Sequence, residues 1–181
     1  AKKFGAEFWN VDCNKLDLSC YPFKLHLPNC TVETRSIILA TGAESLWLGA
    51  ENEDNYKGTG ISTCATCDGY LFRDKDVIVV GGGDSAMEEA DFLSRLAKSV
   101  SVVHRRDSFG KASKVMEKRV LQNRNIKTLM NFKVNRWLGN GKTLRGAELQ
   151  STADGSTQEV SCSGAFIAIG HKPKTDFLDN Q

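Results

Sequence analysis

The sequence predicts an α/β fold built on a parallel sheet, and three observations carry that prediction. A short apolar run, Asp76 to Val80, passes through Gly81-Gly82-Gly83 into a helical pattern and then into a second apolar run, Ser99 to His104. That order and spacing is a β-α-β unit of the usual length. Two more apolar runs, Arg35 to Gly42 and Phe166 to Gly170, end in small residues and glycine. Interior strands that deliver their carboxyl ends to a ligand crevice have this form. Finally, Asn140-Gly141 and Asp154-Gly155 separate strand-like stretches, which are hairpin signals and append a small β-meander.

Taken in order, strands are expected at Glu7 to Val11, Phe23 to Leu27 and Arg35 to Gly42, the last of them buried. Gly49 to Gly60 is polar and punctuated by glycine, so it reads as a connection, with a domain boundary just before it. After the strand at Asp76 to Val80, a helix is expected from Ser85 to Ala97. Ala86, Ala90, Leu93 and Ala97 form its apolar face, and Ser85 with Glu88 has capping-box spacing. Ser99 to His104 completes a Rossmann-type half. A second helix spans Lys111 to Gln122, and strands follow at Ile126 to Leu138, Thr143 to Gln150 and Glu159 to Ile169.

Composition bounds the function classes. The chain has 181 residues, 40% hydrophobic and 25% charged, which fits an ordinary globular protein with one full core and part of a second. A net charge of +2 is too small to imply a nucleic acid or an anionic membrane as partner. No apolar run approaches the ~18 residues needed to span a bilayer. The chain starts at Ala1 and stops at Asp179-Asn180-Gln181 without a helix end, and so reads as an excised piece. The missing targeting segment therefore says little about the parent.

Of six cysteines, only Cys64 and Cys67 are closely spaced. Two thiols separated by two residues close a small ring and can hold and release an electron pair as disulfide and dithiol. A zinc site would want a second Cys or His pair at similar spacing, and there is none. Cys13, Cys20, Cys30 and Cys162 read as small buried or half-buried apolar residues. Asp68 stands beside the second sulfur, placed to supply the proton that a thiolate and a reduced carrier exchange; Asp68-Gly69 also reads as a turn, and both can hold.

Gly81-x-Gly83-x-x-Ala86 follows a strand and opens a helix, the context in which this pattern binds a dinucleotide. The first glycine permits a sharp bend, the second lets a pyrophosphate approach, and the helix amino end offers free N–H groups. About 20 residues on, where an NAD site carries Asp or Glu, the chain has His104-Arg105-Arg106. Two guanidiniums bind a 2′-phosphate that a carboxylate would repel, so the expected cofactor is NADPH. Lys111 and Lys114 either add to that charge or belong to the solvated face of their helix.

These residues resemble low-molecular-weight NADPH-dependent thioredoxin reductases, which are flavoproteins. The motifs are Tyr56-Lys57-Gly58-x-Gly60-Ile61-Ser62-x-Cys64-Ala65-Thr66-Cys67-Asp68-Gly69, Gly81 to Ala90, His104-Arg105-Arg106-Asp107-x-Phe109, and Phe166-x-Ala168-Ile169-Gly170-His171-x-Pro173. The resemblance implies a Rossmann-like three-layer NAD(P)-binding domain with β-meander, plus a partial FAD-domain segment. It implies that residues 1–46 are part of an FAD-binding domain, 47–170 the NADPH-binding domain carrying the redox dithiol, and 171–181 a return to the FAD-binding domain. Electrons would pass from NADPH through FAD to Cys64-Cys67 and on to thioredoxin.

By the same resemblance, Cys67 faces the flavin, Cys64 attacks the thioredoxin disulfide and Asp68 donates a proton. Gly81, Gly83, Asp84, Ser85, Ala86, His104, Arg105, Arg106, Lys111, Ile169 and Gly170 belong to the NADPH site, and Thr41 and Gly42 lie near FAD. Hinges are implied near Trp47 to Glu51 and Gly170 to Lys174. A homodimeric parent in the cytoplasm, or in an organelle, is also implied. Phe109-Gly110-Lys111-Ala112-Ser113 departs from the family's Phe-Arg-Ala-Ser, being one residue longer with Lys for Arg, which predicts weaker NADPH affinity with the preference over NADH kept. The amino-terminal FAD fingerprint and the late Gly-Asp segment are absent, so the piece by itself is expected not to turn over. Rival readings are the flavoprotein component of an alkyl hydroperoxide reductase, whose dithiol usually encloses Pro-His rather than Ala65-Thr66, a non-catalytic NADPH-binding module, and an α/β domain with an inert Cys pair.

Overall fold

The computed structural model describes residues 1–178, which fall into two compact units: residues 1–44 with the segment from Lys172 onward, and residues 45–171. In the first unit, β1 (Lys15–Asp17), β2 (Phe23–His26) and β3 (Thr31–Thr34) form an antiparallel three-stranded sheet over the buried Leu16. β4 (Ala43–Ser45) comes next in the chain. Among the described residues no helix is long and apolar enough to cross a membrane.

Two expectations fail in this unit. Glu7 to Val11 has no regular structure, with Phe8 and Trp9 exposed, and Arg35 to Gly42 is irregular, with Ile38 94% exposed. An apolar run becomes an interior strand only where neighbouring strands complete its hydrogen-bond ladder. Among the described residues no strand flanks 35–42. Cys30 is likewise exposed rather than half-buried.

The second unit has three layers. After α1 (Glu53–Tyr56), β5 (Ile61–Ser62) and α2 (Ala65–Asp68), the chain forms β6 (Asp76–Gly81), α3 (Asp84–Leu93), β7 (Ser99–His104), α4 (Lys114–Gln122) and β8 (Ile126–Met130). The meander β9 (Phe132–Gly139), β10 (Leu144–Ser151) and β11 (Thr157–Ser161) follows, then β12 (Gly164–Ala168). β13 (His171–Pro173) returns the chain to the first unit, where it pairs with β4. The central sheet is parallel, in the order β5-β12-β6-β7-β8.

Strand periodicity explains the layers. Alternate residues of a strand face opposite sides. Val77 and Val79 of β6 and Phe166 of β12 pack with Ala86, Met87, Ala90 and Leu93 of α3. Ile78, Val80, Ala165 and Ile167 face the other way and pack with Val134, Trp137, Ala147 and Leu149 of the meander. The sheet is thus covered by helices on one side and by a second sheet on the other, the predicted three-layer α/β architecture.

The elements differ from expectation at their ends. Gly49 to Gly60 is more than a connection: it contains α1, with Glu53 and Tyr56 buried. The first long helix stops at Leu93 rather than Ala97, because Ser94 Oγ donates to the Asp91 carbonyl and the chain tightens into turns. Ser85 is not a cap. Gly83 holds that position, and no side chain caps it. The next helix begins at Lys114, where Ser113 Oγ accepts from the Met116 N–H, so Lys111 lies outside it. Two of the three late strands divide. Ile126 to Leu138 turns a corner at Asn131, whose φ is 62°, and Glu159 to Ile169 breaks at Cys162-Ser163 as the chain leaves the meander for the central sheet. Asn tolerates the left-handed region better than most side chains.

Candidate active site

A disulfide joins Cys64 and Cys67, with S–S 2.07 Å. Cys64 is the N-cap of α2, its sulfur 3.3 Å from the Cys67 N–H. Cys67 is exposed and Cys64 half-buried. Ser62, at the end of β5 and only 8% exposed, ties the cysteine to the acid. Its Oγ donates to Asp68 Oδ2 at 2.6 Å and accepts from the Cys64 N–H at 3.0 Å. Asp68 is therefore held within one hydrogen-bonded step of the Cys64 backbone. Asp68-Gly69 is not a left-handed turn: Gly69 has helical φ −57° and donates to the Ala65 carbonyl. The fit there is tight: a Cβ would stand 3.0 Å from Leu93 Cδ2 and 3.1 Å from Phe92 Cε1 of α3, so these side chains would have to give way to it.

A second carboxyl approaches the same turn. Glu89 of α3 lies close enough to the backbone N–H of Ala65, between the two cysteines, for that N–H to favour its charged form, while its Oε2 is buried without a partner. Burial pushes its acid up to about 7, against which the Ala65 N–H pulls only partly. The signal was available in the sequence: Glu89 falls among Ala86, Ala90 and Leu93, a charge in an apolar helical face. Cys162 is inert by contrast, burial pushing its thiol up to about 12.

A cavity of about 630 Å³ opens at the carboxyl ends of β6, β7 and β12. β7 continues the chain on one side of β6 and β12 flanks it on the other. This is the switch point at which α/β sheets bind ligands. Gly81, Gly83 and Ser85 line it from the glycine turn, and Ile169 and Gly170 from the end of β12. His104, Arg105, Arg106 and Lys111 supply its basic side. Asp84 and Ala86 are outside the lining: Asp84 Oδ1 accepts from the Ser113 N–H at 2.7 Å, and Ala86 is fully buried. Thr41 and Gly42 lie exposed in the first unit.

Each glycine of the turn has its own cause. At Gly81 a Cβ would stand 2.3 Å from the Ala168 carbonyl oxygen and 2.8 Å from the Ala86 Cβ, so β6, β12 and α3 close only on glycine. At Gly82 it would strike the His104 ring at 2.2 Å. At Gly83 it would meet nothing within 4 Å, leaving the open approach that a phosphate needs. The role of Gly82 was not legible from the pattern, which leaves that position free. His104 also packs 5.3 Å from the Phe109 ring. Burial lowers its pKa most, with the charges of Arg106 and Arg105 adding to the effect against opposing hydrogen bonds to Ser108 and Gly81. Lys111 forms a bridge with Gly83, which brings the departed loop back to the turn.

Sequence reasoning missed two walls of this cavity. Leu46, Trp47 and Leu48 form one, and Phe132, Lys133 and Val134 of β9 the other. Lys133 adds a cation from the meander, an element whose pattern signals only strand.

Comparison with known proteins supports one family. The family model for pyridine nucleotide-disulphide oxidoreductase matches residues 11–181. The thioredoxin reductase of Mycolicibacterium smegmatis is 46% identical over 181 residues, covering all of this chain and 58% of the relative. That of Rickettsia typhi is 41% identical over 184 residues, covering all of this chain and 59% of the relative. Among solved structures, thioredoxin reductase from Giardia duodenalis matches with TM-score 0.84 and 36% identity, over 98% of this chain and 58% of that one. The Lactococcus lactis thioredoxin reductase, in what is described as its FR conformation, matches with TM-score 0.84 and 30% identity, over 99% and 59%. The chain spans under two thirds of the length of these relatives.

Proposed function

The chain belongs to the pyridine nucleotide-disulphide oxidoreductase family, and from that premise we propose that it is the nucleotide-binding and redox-disulfide part of a thioredoxin-disulfide reductase. In that enzyme an electron pair passes from NADPH through FAD to the Cys64–Cys67 disulfide and on to thioredoxin. The observation that supports this best is a disulfide and a glycine-turn cavity lined by Arg105 and Arg106 within one compact unit. The cavity suits the cofactor: Gly83 leaves room for a pyrophosphate, and the two guanidiniums suit a 2′-phosphate.

Reduction of the disulfide consumes two electrons and two protons. The Cys64 thiolate then attacks the disulfide of thioredoxin to form a mixed disulfide. Cys67 resolves it by attacking Cys64, which restores the Cys64–Cys67 bond and releases reduced thioredoxin. Asp68, held by Ser62, supplies the proton taken by the departing thiolate. This assignment of the two sulfurs comes from family likeness, as do the flavin role of Thr41-Gly42, the homodimeric parent and its cytoplasmic location. So does the expectation that residues 1–181 alone do not turn over.

The test is NADPH oxidation by the flavin-loaded full-length protein with and without oxidised thioredoxin. Thioredoxin-dependent turnover is the expected result. If NADPH bleaches the flavin but thioredoxin adds nothing, the nucleotide site stands and the partner falls.

A further inference from the structure

The Leu46-Trp47-Leu48 wall of the cavity belongs to no helix or strand. An irregular segment has no ladder to fix it, so what holds this wall decides whether the cavity exists before a ligand arrives. Glu53, only 3% exposed, directs both carboxylate oxygens to it. Oε1 accepts from the Leu48 N–H at 3.2 Å and Oε2 from the Gly49 N–H at 2.8 Å. Gly49 sits at φ 68°, a left-handed bend that turns these consecutive amides toward one acceptor group. A buried carboxylate is costly to desolvate, and here backbone donors offset that cost rather than a cation.

The same short helix holds the wall a second time. Lys57, just past the end of α1, places its Nζ 4.3 Å from the Trp47 ring centroid. α1 is in turn fixed to the meander. Asn52 Nδ2 donates to the Trp137 carbonyl at 3.2 Å, and Tyr56 Oη accepts from the Gly141 N–H at 3.1 Å.

We propose that Glu53 is a positioning residue for the nucleotide cavity: by clamping the Leu48 and Gly49 amides it pre-forms the Leu46–Leu48 wall, so that binding does not have to order it. This rests on reading the cavity as the NADPH site. Glu53→Gln keeps the shape and one acceptor but turns an amide N–H toward a backbone N–H, which halves the clamp. Lys57→Met removes the charge over Trp47 from a partly exposed side chain and leaves the buried carboxylate in place.

The experiment is calorimetric titration of the full-length protein and both variants with NADP⁺, alongside Arg106→Ala and the melting temperature of each. Glu53→Gln is expected to weaken binding about tenfold, and Lys57→Met about threefold, at temperatures where the melts show every variant folded. A purely structural glutamate would lower the melting temperature without moving the dissociation constant of the folded protein. Binding by Glu53→Gln within twofold of wild type, or a loss matching its loss of folded protein, overturns the proposal. Should Glu53→Gln not fold, Glu53→Asp takes its place, since it keeps the charge but withdraws the carboxylate from the Leu48 and Gly49 amides by one methylene, and wild-type affinity there overturns the proposal. If wild-type protein does not bind NADP⁺ at all, the reading of the cavity itself has failed and the inference goes with it.

Discussion

Arg105 and Arg106 are the residues on which the choice of nucleotide turns, since both line the cavity at the end of β7. Replacing either with Ala should weaken NADPH about tenfold or more and leave NADH nearly unchanged, because the 2′-phosphate that these guanidiniums suit is the group NADH lacks. Separate dissociation constants for the two nucleotides check this, and equal losses for both would refute it. Glu89 gives a pH prediction of opposite character. Its acid rises from an ordinary 4.5 to about 7 on folding. Between those values the unfolded chain has released a proton that the folded chain keeps. Stability is therefore full below about 4.5 and falls as pH rises through about 7. The ceiling for such a shift is ~3 kcal/mol, and partial solvent access reduces the expected loss to roughly 1–2 kcal/mol. Glu89→Gln should flatten this slope. Urea unfolding of both proteins at pH 5 and pH 8 would reveal it as a stability difference that grows with pH.

At the level of elements, β6 and β12 are pinned by Gly81, where any side chain would meet the Ala168 carbonyl oxygen. Gly81→Ala should cost about 1–3 kcal/mol, the usual range for overpacking, and disturb the turn that lines the cavity. Chemical denaturation combined with nucleotide titration measures both effects. This element and its neighbours were legible in the sequence because their signals are local: β6, β7 and the face Ala86, Ala90, Leu93 lie where the apolar periods put them. The basic side of the cavity was legible for the same reason. Arg35 to Gly42 was misread because a strand is defined by its neighbours as well as by its own residues. The corner at Asn131 hides in one residue between two strand-like runs. Glu53 went unrecognised, and Trp47 was named only as part of a hinge, because a polar, glycine-punctuated stretch looks like a linker until the two N–H groups that Glu53 clamps are seen.

For the molecule as a whole, burial is concentrated in the second unit, where both extended core clusters enclose the central sheet. Hydrogen exchange on residues 1–181 should therefore find the slowest amides in β6, β7 and β12 and near-unprotected amides through most of Arg35 to Gly42. Comparable protection in both would contradict the fold described. The corner at Asn131 has a consequence of another kind. The meander enters there, directly after β8, and leaves at Cys162-Ser163, directly before β12. Its ends are fastened to the framework by the Asn131 N–H on the Arg106 carbonyl and the Ser163 N–H on the Asp76 carbonyl. Residues 132–161 thus form a cassette between two fixed sockets, and Phe132, Lys133 and Val134 are its share of the cavity. A graft of another meander at those sockets, with matching inward residues, would retune nucleotide selection while the glycine turn, the arginines and the disulfide kept their own covalent surroundings.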